Sequence, residues 1–490
     1  MRRIGIITIV AGTIILLSAC TVGPNYVRPS VQSPPAYKEA EGGAKWQVAR
    51  PQDDVIRGAW WELFNDPQLN ALEVQVAISN QNIAQAEAQY RQAQALVQAA
   101  RAGYFPTVGV NGSATRTRAP FTGGGGSSSS SSGTSSSSVA AINNFLVSGN
   151  ATWEPDIWGK VRRTVEANEA SAQASAADIA SIRLSAQSAL AQDYFQLCML
   201  DAQKKFYAET VSDYQKFLAL TKNRYAAGVA SSADVLVAET QLKTTQAQAI
   251  DLGVQRAQME HAIAMLVGKA ASVFSIPETP LSATPPPIPL GVPSVLLQRR
   301  PDIASAERLA AAANAQIGVA EAAYYPNITL SATGGFESSK LSNWLTWPNR
   351  LWSIGTTAAE TVFDAGLRSA QTAQARAAYD ASVAAYRQTV LTGFQEVEDD
   401  LSSLRILAEE AQVQEEAVKA AKQSVIVSTN QYKAGIIGAI DIIAVQAIAL
   451  NDERTAIGIA GQRMTASVLL ISALGGGWDA SELKLAGDGK

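Results

Sequence analysis

Few side chains of this 490-residue chain stand where proton, metal or nucleophilic chemistry could use them. His261 is the only histidine, and on an Ala/Met-rich helical stretch it reads as a packing side chain, not a base or a ligand. Of the two cysteines, Cys20 lies near the start and Cys198 inside an apolar helical pattern, so the sequence supports neither a disulfide framework nor a cysteine metal site. Gly268-Lys269 lacks the spaced glycines of a phosphate loop. Glu396, Glu398, Asp399 and Asp400 crowd four carboxylates onto one helical run, which is more often a solvated surface than an acid–base pair at work. No catalytic constellation emerges, and the chain does not read as an enzyme. What remains is a pair of aspartates, Asp234 and Asp441, that stand at the same place in two copies of one motif.

That motif organises the chain. Residues 222–268 return at 429–475 at one constant shift, with Asn223/Asn430, Tyr225/Tyr432, Gly228/Gly435, Asp234/Asp441, Arg256/Arg463 and Gly268/Gly475 among the identical pairs. Each copy shows a helical pattern, a Gly suited to a left-handed C-terminal cap, a short break, and a helix resuming at the Asp. This is a helical hairpin written twice. Ser231 and Asp234 have the spacing of a capping box, and Gly438 takes the cap position before Asp441, so the plainest role of both carboxylates is to hold helix starts.

The elements around the hairpins repeat as well. After Tyr104-Phe105-Pro106 the period becomes two, with Val108, Val110, Gly112 and Ala114 on one face; a second strand puts Phe145, Val147, Gly149, Ala151 and Trp153 on one face. Tyr324-Tyr325-Pro326 opens the echo, with Ile328, Leu330, Ala332 and Gly334 in one strand and a fourth strand from Leu351 to about 361. The strand shift is 220 against 207 at the hairpins, which makes the Gly/Ser run at 123–138 an insertion at a loop tip. No proline interrupts the chain between Pro155 and Pro277 or after Pro348, so long helices are expected, one of them continuous from Lys160 to Ala226. The reading places helices at 66–103, 156–276, 301–324 and 364–475, strands and their loops at 104–155 and 325–363, an inter-repeat linker at 277–300 and a C-terminal segment at 476–490. Trp344, Trp347 and Trp352 fit either an aromatic girdle or the packing of the second loop.

Charged residues make up 17% of the chain, below the roughly 25% of soluble domains, and the net charge of −4 gives nucleic acid nothing to bind. Four strands with one apolar face cannot close a barrel by themselves, whereas three copies would supply about twelve and leave a lumen. Oligomerisation is therefore expected. At the start, Met1-Arg2-Arg3 and the apolar stretch Ile4–Leu17 form a secretion signal over 1–19, too short to span a membrane. Leu17-Ser18-Ala19-Cys20 resembles a lipobox, which implies cleavage before Cys20, a diacylglyceryl thioether on its sulfur and an acyl chain on its amine. Thr21, not Asp, follows, which in such lipoproteins favours delivery to the outer membrane; residues 20–65 then form a lipidated tether.

The run Leu296-Leu297-Gln298-Arg299-Arg300-Pro301-Asp302-Ile303, with Ala306-Glu307, Ala313-Asn314-Ala315-Gln316-Ile317-Gly318 and Tyr325-Pro326, resembles the signature of the TolC-like outer membrane factor family. Within it the chain is most similar to the lipoproteins of RND-type efflux systems, over nearly the whole mature length. The resemblance implies a protein that is mainly α with a membrane β-barrel: two structural repeats, four strands and long helical hairpins per protomer, assembled as a trimeric α/β barrel tube. It implies a homotrimer in outer-membrane lipid, a periplasmic adaptor, an inner-membrane RND pump, and no cofactor beyond the lipid on Cys20. The expected role is a passive exit duct for small molecules such as drugs. A type I secretion duct, or a lipid-anchored coiled-coil scaffold or adhesin, is the alternative. Adaptor contact would fall at the hairpin tips Gly228, Val229, Gly435 and Ile436. The periplasmic gate would fall at Asp441, with Tyr432 donating to Asp234 as a restraint. The family's second acidic position is Ala444 here, and an Arg of its restraining network is replaced by Ile437.

Overall fold

The computed structural model describes residues 21–39, 58–118, 141–281, 284–288 and 296–481. Cys20 and the Gly/Ser run at 123–138 therefore lie outside the described residues. After a short 3-10 turn at Trp60–Phe64 come α1 (Pro67–Ser79), α2 (Gln81–Ala102), β1 (Thr107–Thr117), β2 (Ile142–Trp153), α3 (Lys160–Ala226) and α4 (Ser232–Leu266). The second half repeats this order as α5 (Leu296–Arg299), α6 (Pro301–Ala322), β3 (Asn327–Ser338), β4 (Arg350–Ala359), α7 (Leu367–Lys433) and α8 (Ala439–Ala473). By contacts the chain divides into two compact units, one formed by residues 93–171 and 310–381 with the chain up to Val27, the other by the remainder.

In the first unit the strands form one antiparallel sheet in the order β1-β2-β3-β4. Its register sets apolar against apolar: Val108 faces Ala151, Ala151 faces Ala332, and Ala332 faces Ile354, while the other face pairs Asn111 with Ser148 and Thr152 with Ser331. Strands of 10 to 12 residues suit a membrane-spanning barrel strand. Val108, Val110, Trp352 and Ile354 are exposed on the apolar face, and the outer edges of β1 and β4 have no ladder partner among the described residues. Trp344 packs the second loop, its indole N–H donating to the Phe336 carbonyl at 3.3 Å and its ring 6.2 Å from Phe145, whereas Trp347 and Trp352 stay exposed. An aspartate starts each long helix. Asp156 accepts the N–H groups of Val161 and Arg162 at 2.8 and 2.9 Å, and Asp364 accepts that of Arg368 at 3.2 Å.

The start of the chain is a strap with fixed contacts. In the first unit Arg163 donates to the Val22 and Gly23 carbonyls at 3.1 Å each and to Asn25 at 2.9 Å, and Gly23 lies so close to Gly318 that a Cβ would sit 2.4 Å from its Cα. In the second unit Tyr37 is 2% exposed among Ile303, Tyr386, Val390 and Phe394. There Glu398 accepts the backbone N–H groups of Lys38 and Glu39 at 2.7 and 3.0 Å.

The second unit holds the main core. Trp60, Phe64, Leu69, Leu72 and Val76 pack on Leu190, Tyr194 and Phe195 of α3, Ile263 of α4, and Met464 and Val468 of α8. By length and composition α8 could cross a membrane, but half of its apolar window is buried and it serves as a core helix. The single helix expected over 66–103 is broken at Asn80. Its side chain accepts the N–H of Asn82 at 2.9 Å, which caps α2, and donates to the Leu266 carbonyl at 2.9 Å. The break matches Arg300 between α5 and α6, at the same shift of 220 as the strands. Gly268 and Gly475, identical across the repeat, end α4 and α8 with φ of +69° and +96°, and each abuts the last residue of a short helix, Ser79 and Arg299.

Candidate functional site

The repeated aspartates lie at the hairpin tips of the second unit. Each long helix ends in the same way: Gly228 and Gly435 take φ of +73° and +78°, and the N–H groups of Val229 and Ile436 reach back to the carbonyls of Arg224 and Gln431, both at 2.9 Å. Left-handed glycine with this reach-back is the Schellman closure, and it satisfies carbonyls that the helix end would leave bare. The next helix starts four residues after each glycine. Asp234 completes a capping box with Ser231, accepting its N–H and its hydroxyl at 2.8 Å each, and Asp441 accepts the Gly438 N–H at 3.0 Å. Gly438 has no side chain to answer, so this second cap is half of the first.

Asp234 also reaches the second hairpin. Its carboxyl is held below the usual carboxylate range first by the Ser231 N–H, then by the Ser231 hydroxyl, and further by the Ala439 N–H and the Arg224 charge. Contrary to the expectation from the sequence, Tyr432 does not donate to Asp234. Its hydroxyl lies 3.1 Å from Thr221 Oγ1, and because Thr221 donates to the Phe217 carbonyl at 3.0 Å, Tyr432 is the donor of that pair. The correction has a simple cause. Tyr432 is 2% exposed within a cluster of Phe217, Leu218, Leu242 and Ile442, while the Asp234 oxygens are spent on a cap at the helix start.

Arg224 is the residue that sequence reasoning missed. Its guanidinium donates to the Tyr432 carbonyl at 2.6 Å, which also accepts the Gly435 N–H at 3.0 Å, sits 4.6 Å from the centre of the Tyr432 ring, and so places a cation at the C-terminal end of α7. The signal was present in the repeat. Arg224 stands opposite Gln431, and of the identical pair Tyr225 is 51% exposed where Tyr432 is buried. The hairpins are thus not equivalent: the first grips the second. Val229 and Ile436 at the tips are 64% and 71% exposed, as are Leu236 and Ile440 beside them at 64% and 65%. Asp441 is exposed.

Elsewhere the candidates resolve separately. Cys198 is 3% exposed and burial pushes its thiol up to about 12, so it is inert packing. His261 is exposed and not packed, since α4 turns that face outward. The carboxylate run is not a uniform solvated face: Glu396 pairs with Arg300 at 2.6 Å and Glu398 holds the strap. Among the described residues no group of His, Cys, Asp and Glu is placed to hold a metal ion.

An open antiparallel sheet with one apolar face and membrane-length strands, joined to two capped helical hairpins, defines the protomer of an outer-membrane export channel. The chain belongs to the outer membrane efflux protein family, which it matches over residues 72–269 and 292–476. It is 28% identical to the pyoverdine export outer membrane protein OpmQ of Pseudomonas aeruginosa over 96% of this chain and 97% of that one. It is also 28% identical to the toluene efflux pump outer membrane protein TtgC of Pseudomonas putida, over 96% and 95%. The structure of the outer-membrane channel OprN superposes with a TM-score of 0.84 at 27% identity, covering 94% of this chain and all of that one.

Proposed function

We propose that three copies of this chain form a passive exit duct for small molecules, fed by a periplasmic adaptor and an inner-membrane RND pump and closed at the hairpin tips. The carrying observation is the sheet register: four strands with a continuous apolar face, and two edges unpaired among the described residues, demand further copies to close. The cargoes of two relatives, pyoverdine and toluene, support small-molecule export without naming one for this chain. The exposed apolar tips at Gly228, Val229, Gly435 and Ile436 suit capture by an adaptor.

At the gate, Asp441 of three copies would converge and attract cations, and the grip of Arg224 on α7 would hold the second hairpin inward. Conductance of the purified protein in planar bilayers tests this. Arg224→Gln is expected to open the mouth several-fold, and Tyr432→Phe less, because one neutral hydrogen bond contributes only about 1 kcal/mol. Asp441→Ala is expected to weaken cation selectivity and block by multivalent cations. Wild-type conductance in all three, with only thermal stability lost, would mean that these groups are caps and packing.

The lipid on Cys20 belongs to the same proposal. Cys20→Ala is expected to abolish incorporation of radiolabelled palmitate while leaving membrane insertion largely intact, because the barrel and not the acyl chains then carries the anchoring. Equal label in both proteins would remove the lipid from the scheme.

A further inference from the structure

A cavity of about 450 Å³ opens in the second unit where α3, α6, α7 and α8 meet. Its charged lining is unbalanced. Arg300 is the only cation, against Asp302 from α6 and Glu396, Asp399 and Asp400 from α7. All three guanidinium nitrogens are engaged, with Asp302 held at 3.0 and 2.7 Å, Glu396 at 2.6 Å and the Ala473 carbonyl at the end of α8 at 3.1 Å. The linings from α3 and α8 are uncharged, among them Ser185, Leu469 and Ser472. Asp399 has a weak donor in the Gln395 amide at 3.3 Å, and Glu398 on the same helix is committed to the strap. Asp400 is thus a carboxyl in a walled space, beside two other carboxylates and with no free cation among the described residues of the lining. Burial first, then Glu396 and Asp399, push it up to about 7.

We propose that this cavity is a pH-sensitive switch in which Asp400 keeps its proton in acid and loses it as pH rises through neutrality, loosening the junction of α6, α7 and α8. The balance is simple. The proton passes to solvent and leaves one more negative charge facing Asp399 and Glu396, which draws on the Arg300 hydrogen bonds that close the end of α8. Because the folded state holds this proton more tightly than the unfolded chain does, the contribution is fully present in acid and fades as pH rises toward the folded value. It needs neither the gate nor any assigned cargo.

The test uses the full-length protein in detergent, titrated from about pH 5 to about pH 9. The wild-type infrared spectrum minus that of Asp400→Asn is expected to show a protonated-carboxyl band that disappears with a midpoint near 7. The subtraction removes other buried acids. Hydrogen exchange of the Leu469–Ala473 segment, corrected for its intrinsic rate, is expected to rise across the same range in wild type and to stay flat in Asp400→Asn. Asp399→Asn, an exposed change that leaves the packing alone, is expected to move the midpoint to lower pH. A difference band already absent at the acid end, an unmoved midpoint in Asp399→Asn, or parallel exchange in wild type and Asp400→Asn would each overturn the switch.

Discussion

Gly475→Ala is expected to cost about 3 to 5 kcal/mol and to leave little folded protein in the outer-membrane fraction, the sum of a left-handed backbone strain and an overpacking penalty. At φ +96° an added Cβ would stand 2.1 Å from the Arg299 carbonyl oxygen, which is backbone and cannot swing away. Gly268→Ala meets the Ser79 carbonyl at 2.3 Å and is expected to behave alike. Gly228→Ala is the control. Its φ of +73° carries the backbone strain, but nothing lies within 4 Å, so a cost of only about 1 to 2 kcal/mol is expected. Denaturant unfolding of the three variants in detergent separates the effects, and equal losses in all three would show that the helix ends are not held backbone to backbone.

These glycines also show how far the sequence could be read. The identity of Gly268 and Gly475 was visible and so was their helix-ending role, but the reason they cannot change is a neighbour about 180 residues away in the chain, beyond any local pattern. The strands were legible almost to the residue because a period of two with one apolar face has a single reading in a membrane barrel. The α3 helix ran over Lys160–Ala226 as expected, since nothing in that span breaks a helix. The break at Asn80 was missed because a lone Asn is tolerated in helices; only the matching Arg300-Pro301 in the second half gave it away. At the site, Asp234 and Asp441 were found by repetition. Arg224 was not, because its partners are backbone carbonyls, and a carbonyl has no letter in the sequence.

Glu73 carries the second large effect. It lies on α1 between Leu72 and Val76, fully buried, and neither carboxyl oxygen has a hydrogen-bond partner among the described residues. Burial alone pushes it from 4.5 up to about 9, so the folded protein holds a proton that the unfolded chain releases. The sign follows: stability is greatest in acid and falls by about 1.4 kcal/mol per pH unit between the unfolded and folded values. Near neutral pH the accumulated cost is about 3 kcal/mol. Glu73→Leu is expected to raise the unfolding midpoint by that order at about pH 7, with a gap that narrows toward pH 5 and widens toward pH 9. Glu73→Gln should flatten the same pH dependence with a smaller gain, because its amide stays buried without partners. Curves parallel to wild type at every pH would mean that the carboxyl finds a donor in the assembled protein.

The strap has a consequence for the order in which the protein is made. Lys38 and Glu39 are seated on Glu398, at sequence separations of 360 and 359 residues, and Tyr37 enters a cluster that needs Leu470. A ribosome delivers the strap first and its seat near the end, so these long-range contacts wait for almost the whole chain. The earliest described stretch to leave the ribosome is among the last that the fold can hold.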